Sequence, residues 1–490
     1  MDKAAAEKEA IRLWRNLPLQ DRLAPSQAIA FAAMIAPTLD FDEPHQRTEQ
    51  VERWLLRDLP RTDPSSVHIE DDTPGRRNLP VPPWPQREGA PGLALVICLL
   101  IMIARRPDIV TNAMLWAEDG TVWFAQAYNE GWWAPLLRPY GGYIELFPRL
   151  VFDIATLLPL RVVALFGVWV ALLVRAALPA FLFSSRFTSI DWRAKVAITA
   201  YYVLMPNLGE VHANIANTGL YLGLYLIAVI LADPPRRPGW KIHDWVVLVL
   251  AGTTGPLVLF ALPALGWRYW AQRKSAAARP AFLGVAVVLA LAQLLSLVLT
   301  AKGTGQVSAA ATSLLPLQIL GSRVFLGFIT PARWAGALSD PAVAIPAFFF
   351  GAAILVAVFV RGDWKARGLL VIPPLLLLVG FFTPAFSLAQ PQWTSVFDAN
   401  PAERYFVVTS VAWAGTLVYF AGIYLPRLSS FALAVSIAIC GFFILFDFPL
   451  PPVPGASFGP QVDRIAATPV GESVTVPTAP PGWAMTLIRH

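Results

Sequence analysis

Trp116-Ala117-Glu118-Asp119-Gly120 sets two adjacent carboxylates among aromatic and small residues, with Trp123-Phe124 and Gly131-Trp132-Trp133 just beyond. Neighbouring carboxylates repel, so a cation, an arginine or a retained proton must offset one of them. Such a group can take a proton from a hydroxyl as general base or help to hold a cation. A plain solvated loop pair is the competing reading, and the aromatic flanks speak against it.

A second polar run, Asn207-Leu208-Gly209-Glu210-Val211-His212-Ala213-Asn214 followed by Asn217-Thr218, lies between two apolar segments. Glu210 and His212 alternate, so an extended loop would point both to one side. With a distant carboxylate such as Asp119 they are candidate ligands for a divalent cation, Mg²⁺ or Mn²⁺ by their oxygens or Zn²⁺ by the imidazole. The plainer alternative is that these residues cap two helices. Asn214 and Asn217 are further candidates for contact with a substrate. For an anionic group the candidates are Arg138, Arg149, Arg323, Arg333 and the Arg404-Tyr405 pair, because guanidinium binds phosphate in a planar, two-pronged way. Each arginine alone also reads as an interfacial anchor.

The elements that must position these residues are membrane helices. Of 490 residues, 56% are hydrophobic and only 14% charged, and the mean hydropathy is +0.55. Soluble chains carry about 25% charged residues. The composition predicts an all-α polytopic membrane protein. The net charge of +6 is not a nucleic-acid signal, since Lys and Arg fall mostly in short loops between apolar segments. Cys98 and Cys440 both lie in apolar segments, so neither a disulfide nor a metal cluster is expected. No cleavable signal peptide is expected either, because residues 1–90 are polar and mixed in charge.

Residues 1–60 read as a small cytosolic helical module with an unidentified partner, and 61–89 as a proline-rich linker. The membrane domain spans 90–447, and 448–490 form an extracytoplasmic cap whose 474–477 and 480–487 alternate like a short strand pair. About eleven crossings are expected, near 90–104, 160–184, 194–208, 218–233, 245–254, 256–269, 280–300, 341–360, 368–386, 405–424 and 428–447. Basic loops around Arg186–Lys195, Arg236–Lys241, Arg268–Arg279, Arg361–Arg367 and Arg427 share one side, which the positive-inside rule makes cytoplasmic. That requires 245–269 to go up and back, turning at Gly252-Thr253-Thr254-Gly255-Pro256; one long tilted helix is the alternative. A break there would be tolerated where protein or water shields the backbone, which suggests an outward cavity. The outer face then receives 105–159, 209–217, 301–340, 387–404 and 448–490, with interfacial pieces at Trp132–Leu137 and Ile144–Leu150.

The run Trp116-Ala117-Glu118-Asp119-Gly120, with Phe124, Ala127, Gly131, Pro139, Gly142-Tyr143 and Pro148-Arg149-Leu150, resembles bacterial multi-pass membrane glycosyltransferases of the GT-C superfamily. The resemblance covers roughly 90–450 and leaves the N-terminal module outside. It implies a chain in the bacterial inner membrane, N-terminus cytoplasmic and C-terminus extracytoplasmic. It implies transfer of a sugar from a polyprenyl-phosphate-linked donor to a glycan or lipid acceptor on the outer side. In that superfamily an acidic residue of the first outer loop acts at the catalytic centre, which carries over to Asp119 or Glu118. Some members add an acidic-x-acidic metal motif in the second outer loop; Glu210-Val211-His212 lies at the matching place with His for the second acid. The implied mechanism is an inverting displacement with Asp119 as general base. Outer-face arginines would steady the departing phosphate, and Glu118, Glu210 and His212 would hold a cation or position the acceptor. A transporter or flippase of lipid-linked saccharides is the rival expectation. A regulatory membrane protein recruiting partners through 1–60 is the third.

Overall fold

The computed structural model describes residues 89–275, 278–300, 314–382, 403–424 and 446–490, except 456, together with scattered positions between 434 and 442. The chain divides into two units, Met1–Pro80 and Val81–His490. The expected module at 1–60 and nearly all of the 61–89 linker lie outside the described residues, as do most of the 428–447 segment and Cys440.

The second unit is largely helical. Its longer helices are α1 (Ala90–Arg105), α2 (Leu146–Ala155), α3 (Leu160–Leu182), α4 (Trp192–Leu204), α5 (Thr218–Leu231), α6 (Pro238–Gly252), α7 (Leu257–Gln272), α8 (Pro280–Thr300), α9 (Pro341–Arg361), α10 (Trp364–Phe382), α11 (Glu403–Tyr424) and α12 (Phe458–Ala467). Two strands follow, β1 (Ser473–Pro477) and β2 (Ala484–Ile488), paired antiparallel with Thr475 opposite Thr486. Several starts are written in the sequence. Pro238, Pro280 and Pro341 open their helices at the one position where a missing N–H costs nothing. Asp191 and Asp340 cap α4 and α9 by accepting from Arg193 N and Ala342 N, each at 2.8 Å.

Among the described helices four are long and apolar enough to cross a membrane: α3, α8, α9 and the Glu403–Gly422 part of α11. This is well short of eleven crossings. Helices do form at every described segment expected to cross, but α1, α4, α5, α6 and α7 have only 13 to 16 residues, too few for a roughly 30 Å core at 1.5 Å per residue. Burial separates the roles. α5 buries its own Tyr221, Leu222, Leu224, Leu226, Ile227, Val229 and Ile230 on nearly every side, so it lies inside the bundle. Gly223 lets α7 approach it, since a Cβ there would stand 2.1 Å from Leu257 Cδ1. By contrast α8 and α9 leave Leu291, Leu295, Val298, Leu299, Phe349, Phe350 and Val360 exposed, an apolar surface suited to hydrocarbon.

The stretch 245–269 is not one helix: α6 ends at Gly252 and α7 begins at Leu257. The break serves a different purpose from the cavity expected of it. Its backbone pairs with the first loop: Leu146 N donates to Thr253 O (2.9 Å), Gly255 N to Ile144 O (3.0 Å), and Phe147 N to Thr254 Oγ1 (3.1 Å). Gln293 of α8, 1% exposed, accepts from Ile144 N and donates to Ile144 O and Gly252 O. Backbone groups freed by the turn are therefore satisfied by protein. The interfacial piece expected at Ile144–Leu150 forms α2, whereas Trp132–Leu137 forms turns.

The loops sort into two ends. At one end the segment 106–145, the 205–217 loop, the α6–α7 turn, the start of α11 and residues 447–490 are hydrogen-bonded together. At the other, 184–193, 233–244, the α7–α8 connection and 361–367 meet through Arg186, Asp233, Asp244, Arg279 and Lys365. They are called below the loop end and the basic end.

Candidate functional site

Ala117 adopts φ +32°, a left-handed backbone that costs a side-chain-bearing residue about 1–3 kcal/mol. The C-terminal residues hold it there: Ala117 N donates to Ala479 O, and Ala479 N to Leu115 O at 3.0 Å. Gly120 fits beneath the same strap, because a Cβ there would lie 2.6 Å from Thr478 Cγ2. Asn129 adds a second tie, donating to Thr486 O (2.9 Å) and accepting from Ile488 N (2.9 Å). The turn at Ala117 sends the two neighbouring acids to different surroundings.

Asp119 goes inward. It is 4% exposed, and its two oxygens accept from Ile215 N (3.1 Å) and Ala216 N (2.7 Å) of the second loop. Burial pushes its carboxyl up to about 8, the two amides opposing that rise and Glu118 adding to it. With both oxygens held by amides and little exposure to solvent, Asp119 is set apart from its neighbour. Asp119 is the tie between the first and second loops.

Glu118 is half-buried, and its charge bears on the Tyr140 phenol. Burial, and then the charge of Glu118, raise Tyr140 to about 12, with Arg404 acting the other way. Glu145 lies within the same field: enclosure pushes it up to about 8, with Arg149 opposing and Glu118 adding. Tyr143 is raised by burial and by Tyr405 and Glu145. Arg404, 40% exposed at its side chain, pairs with Glu210 and stands over the Tyr405 ring at 5.2 Å. Glu403, 4% exposed, accepts from Glu210 N at 2.8 Å, and Arg323 and Arg106 lie within reach of its charge. Glu118, Tyr140, Glu145, Glu210, Arg404 and Tyr405 thus come together from two loops and one helix start. Glu145 and Glu403 are not singled out by sequence reasoning. The signal was a lone acid at the head of an amphipathic stretch in one case and of an apolar helix in the other.

The remaining candidates are engaged elsewhere. His212, 2% exposed, turns into the bundle: its Nε2 faces Met102 O (3.1 Å) and its Nδ1 faces Arg175 Nη1 (3.0 Å). A carbonyl can only accept and a guanidinium only donate, so Nε2 carries the proton and Nδ1 is the acceptor. Burial and the charges of Arg175, Arg105 and Arg106 hold the ring well below its usual range, hence neutral. Residues 209–214 form turns, not an extended strand, so Glu210 and His212 do not share a side. Both ring nitrogens being committed, His212 does not join Glu210 and Asp119 as a ligand set. No group of three or more His, Cys, Asp or Glu suited to a metal ion occurs among the described residues.

Asn214 and Asn217 both donate to Glu210 O (2.7 and 3.3 Å), and Asn217 also donates to Asn214 Oδ1, so they frame the second loop. Arg138 makes a two-pronged surface pair with Glu130, at 3.0 and 2.6 Å. Arg149 is buried, donating to Gln126 Oε1 and Arg138 O and lying 4.9 Å over Trp123. Arg323 lies 4.8 Å over Phe406, and Arg333 stacks on Trp334 and Phe446. Of the five candidate arginines only Arg404 is both accessible and beside Glu118's cluster. No protein-family model, curated protein or solved structure matches the chain.

Proposed function

We propose that the chain is a multi-pass bacterial plasma-membrane glycosyltransferase that moves a sugar from a polyprenyl-phosphate carrier to a glycan or lipid acceptor, with inversion. The loop end would face the extracytoplasmic side and the basic end the cytoplasm. The observation that carries this reading is the divergence at Ala117, which buries Asp119 and leaves Glu118 as the less enclosed carboxylate of the pair, near Tyr140 and Arg404.

In this reading Glu118 takes the proton of the acceptor hydroxyl as that oxygen attacks the anomeric carbon. Tyr140 lies near the carboxylate and would face the same acceptor. Arg404 sits where a departing phosphate needs positive charge, and it would exchange Glu210 for that anion. One carboxylate suffices because a phosphate leaves with little protonation. Asp119 acts through position, registering the second loop against the first. Glu210 and His212 do not fit a shared cation, so no step is assigned to a metal.

The test is sugar transfer by the purified chain from a panel of polyprenyl-phosphate sugars, run with EDTA and with added Mg²⁺ or Mn²⁺. Glu118→Gln is expected to lower transfer by about a thousandfold, within the usual range for a lost general base, with melting unchanged. Failure of every donor, combined with leaflet-to-leaflet movement of a lipid-linked saccharide in proteoliposomes, would instead establish the transporter reading.

A further inference from the structure

Arg268 is a buried cation without a carboxylate. It is 4% exposed, near the C-terminal end of α7, at the basic end. Nη1 donates to Val229 O (2.8 Å) and Ile230 O (2.7 Å), capping the last turn of α5, and Nε donates to Gln272 Oε1 (3.3 Å). Nη2 finds no acceptor among the described residues. The neighbouring acids are already taken. Asp244 is clasped by Arg186 at 2.8 and 3.1 Å and by Arg279. Asp233 holds Lys365 at 2.8 Å. Both act on Arg268 only through space, against repulsion from Arg279 and Arg186. A charge removed from water needs a partner, or its desolvation goes uncompensated.

A recess opens beside this group between α7 and α8, lined by Leu265, Arg268, Tyr269, Gln272, Arg279 and Phe282. Two guanidiniums, a phenol and an amide around one opening form a donor set for an anion with several oxygens. Next to it Trp270 is 61% exposed with Arg273 4.5 Å over its ring, a pairing typical of the head-group level of a bilayer. Beyond the recess α8 presents the apolar face of Val288, Leu291 and Leu295, where acyl chains would run.

We propose that this recess docks the phosphate of an anionic phospholipid, read by Arg268 and Arg279. The lipid supplies the missing counter-charge, and its chains lie along α8. The inference is independent of sugar transfer at the loop end, and its test needs none.

The full chain is placed in nanodiscs of mixed phosphatidylglycerol and phosphatidylcholine, released, and examined by native mass spectrometry for retained lipid. The wild type is expected to keep phosphatidylglycerol about tenfold over phosphatidylcholine, a charge-assisted preference. Arg268→Gln should abolish it. Because Arg268 also braces α5, Arg268→Lys serves as a second variant: it keeps the charge but lacks the second nitrogen, and should lower the preference severalfold. Arg279→Gln should lower it as well. Equal retention of both lipids by the wild type, or a preference unchanged in Arg268→Lys and Arg279→Gln, would overturn the proposal. So would full displacement of the lipid by inorganic phosphate, which would mark a free-anion site.

Discussion

At the basic end Asp244 is fully buried and neutralised by side chains: Arg186 grips both oxygens, Arg279 one, and His243 the other at 3.1 Å. At the loop end Asp119 is equally sealed, yet its oxygens meet only main-chain N–H groups of another loop. The difference decides what is left over. Side-chain pairing joins helices into a brace and takes up Arg186 at both its terminal nitrogens and Arg279 at one. Main-chain pairing fixes one loop against another without drawing in the neighbouring Glu118, which stays half-buried.

Breaking the brace should be the more costly change. Asp244→Asn strands two guanidiniums, and unfolding in mixed detergent micelles should show a loss of about 3–5 kcal/mol. Activity per folded molecule should stay near wild type. Asp119→Ala removes the acceptor of two buried amides and should cost about 2–4 kcal/mol by the same assay, while Asp119→Asn, which keeps one carbonyl, should cost about half that. If Asp119→Asn folds as well as wild type but loses a thousandfold in transfer, Asp119 is itself the base and the contrast between the ends collapses.

Glu145 sharpens the comparison through pH. Its carboxyl is raised from 4.5 to about 8 in the folded chain. Stability from the protonated form is therefore complete below about 4.5 and is lost as pH rises through about 8. Transfer is expected to fall over that alkaline limb as a second negative charge appears beside Glu118. In Glu145→Gln the limb should vanish from the pH–rate profile. The smallest effect belongs to the exposed pair. Arg138, through its hydrogen bond, holds Glu130 below the usual carboxylate range. The contribution is thus present at neutral pH and fades as pH falls through that depressed value. Glu130→Gln should change stability by less than about 0.5 kcal/mol, because solvent screens the pair.

The positions of the helices were legible because apolar runs and their prolines mark them directly. The turn at 252–256 was legible too, from its Gly-Thr-Thr-Gly-Pro run, although its use was not. Pairing with Ile144 and Gln293 depends on residues far away in the chain. The acidic motif announced itself by its aromatic flanks, but which acid faces the site depends on the backbone sign at Ala117, set by Ala479. His212 misled because alternation implies a shared face only in extended chain, and 209–214 turns instead. The arginines misled for a related reason. A guanidinium in a loop looks the same in sequence whether it pairs with an acid near the surface, as Arg404 does, or is buried on an amide and a carbonyl, as Arg149 is.

The strap from the C-terminal residues to the acidic loop has a consequence for biosynthesis. Asn129 waits for Thr486, a partner 357 positions later in the chain, and Ala117 waits for Ala479. Helices α1 to α11 can form one after another as they leave the ribosome, each on local information. The acidic turn cannot take its working shape until almost everything else has been translated. A chain truncated after α11 would carry every candidate side chain but lack the partners that hold the turn at Ala117. Assembly order thus makes the acidic turn among the last features of the fold to be fixed.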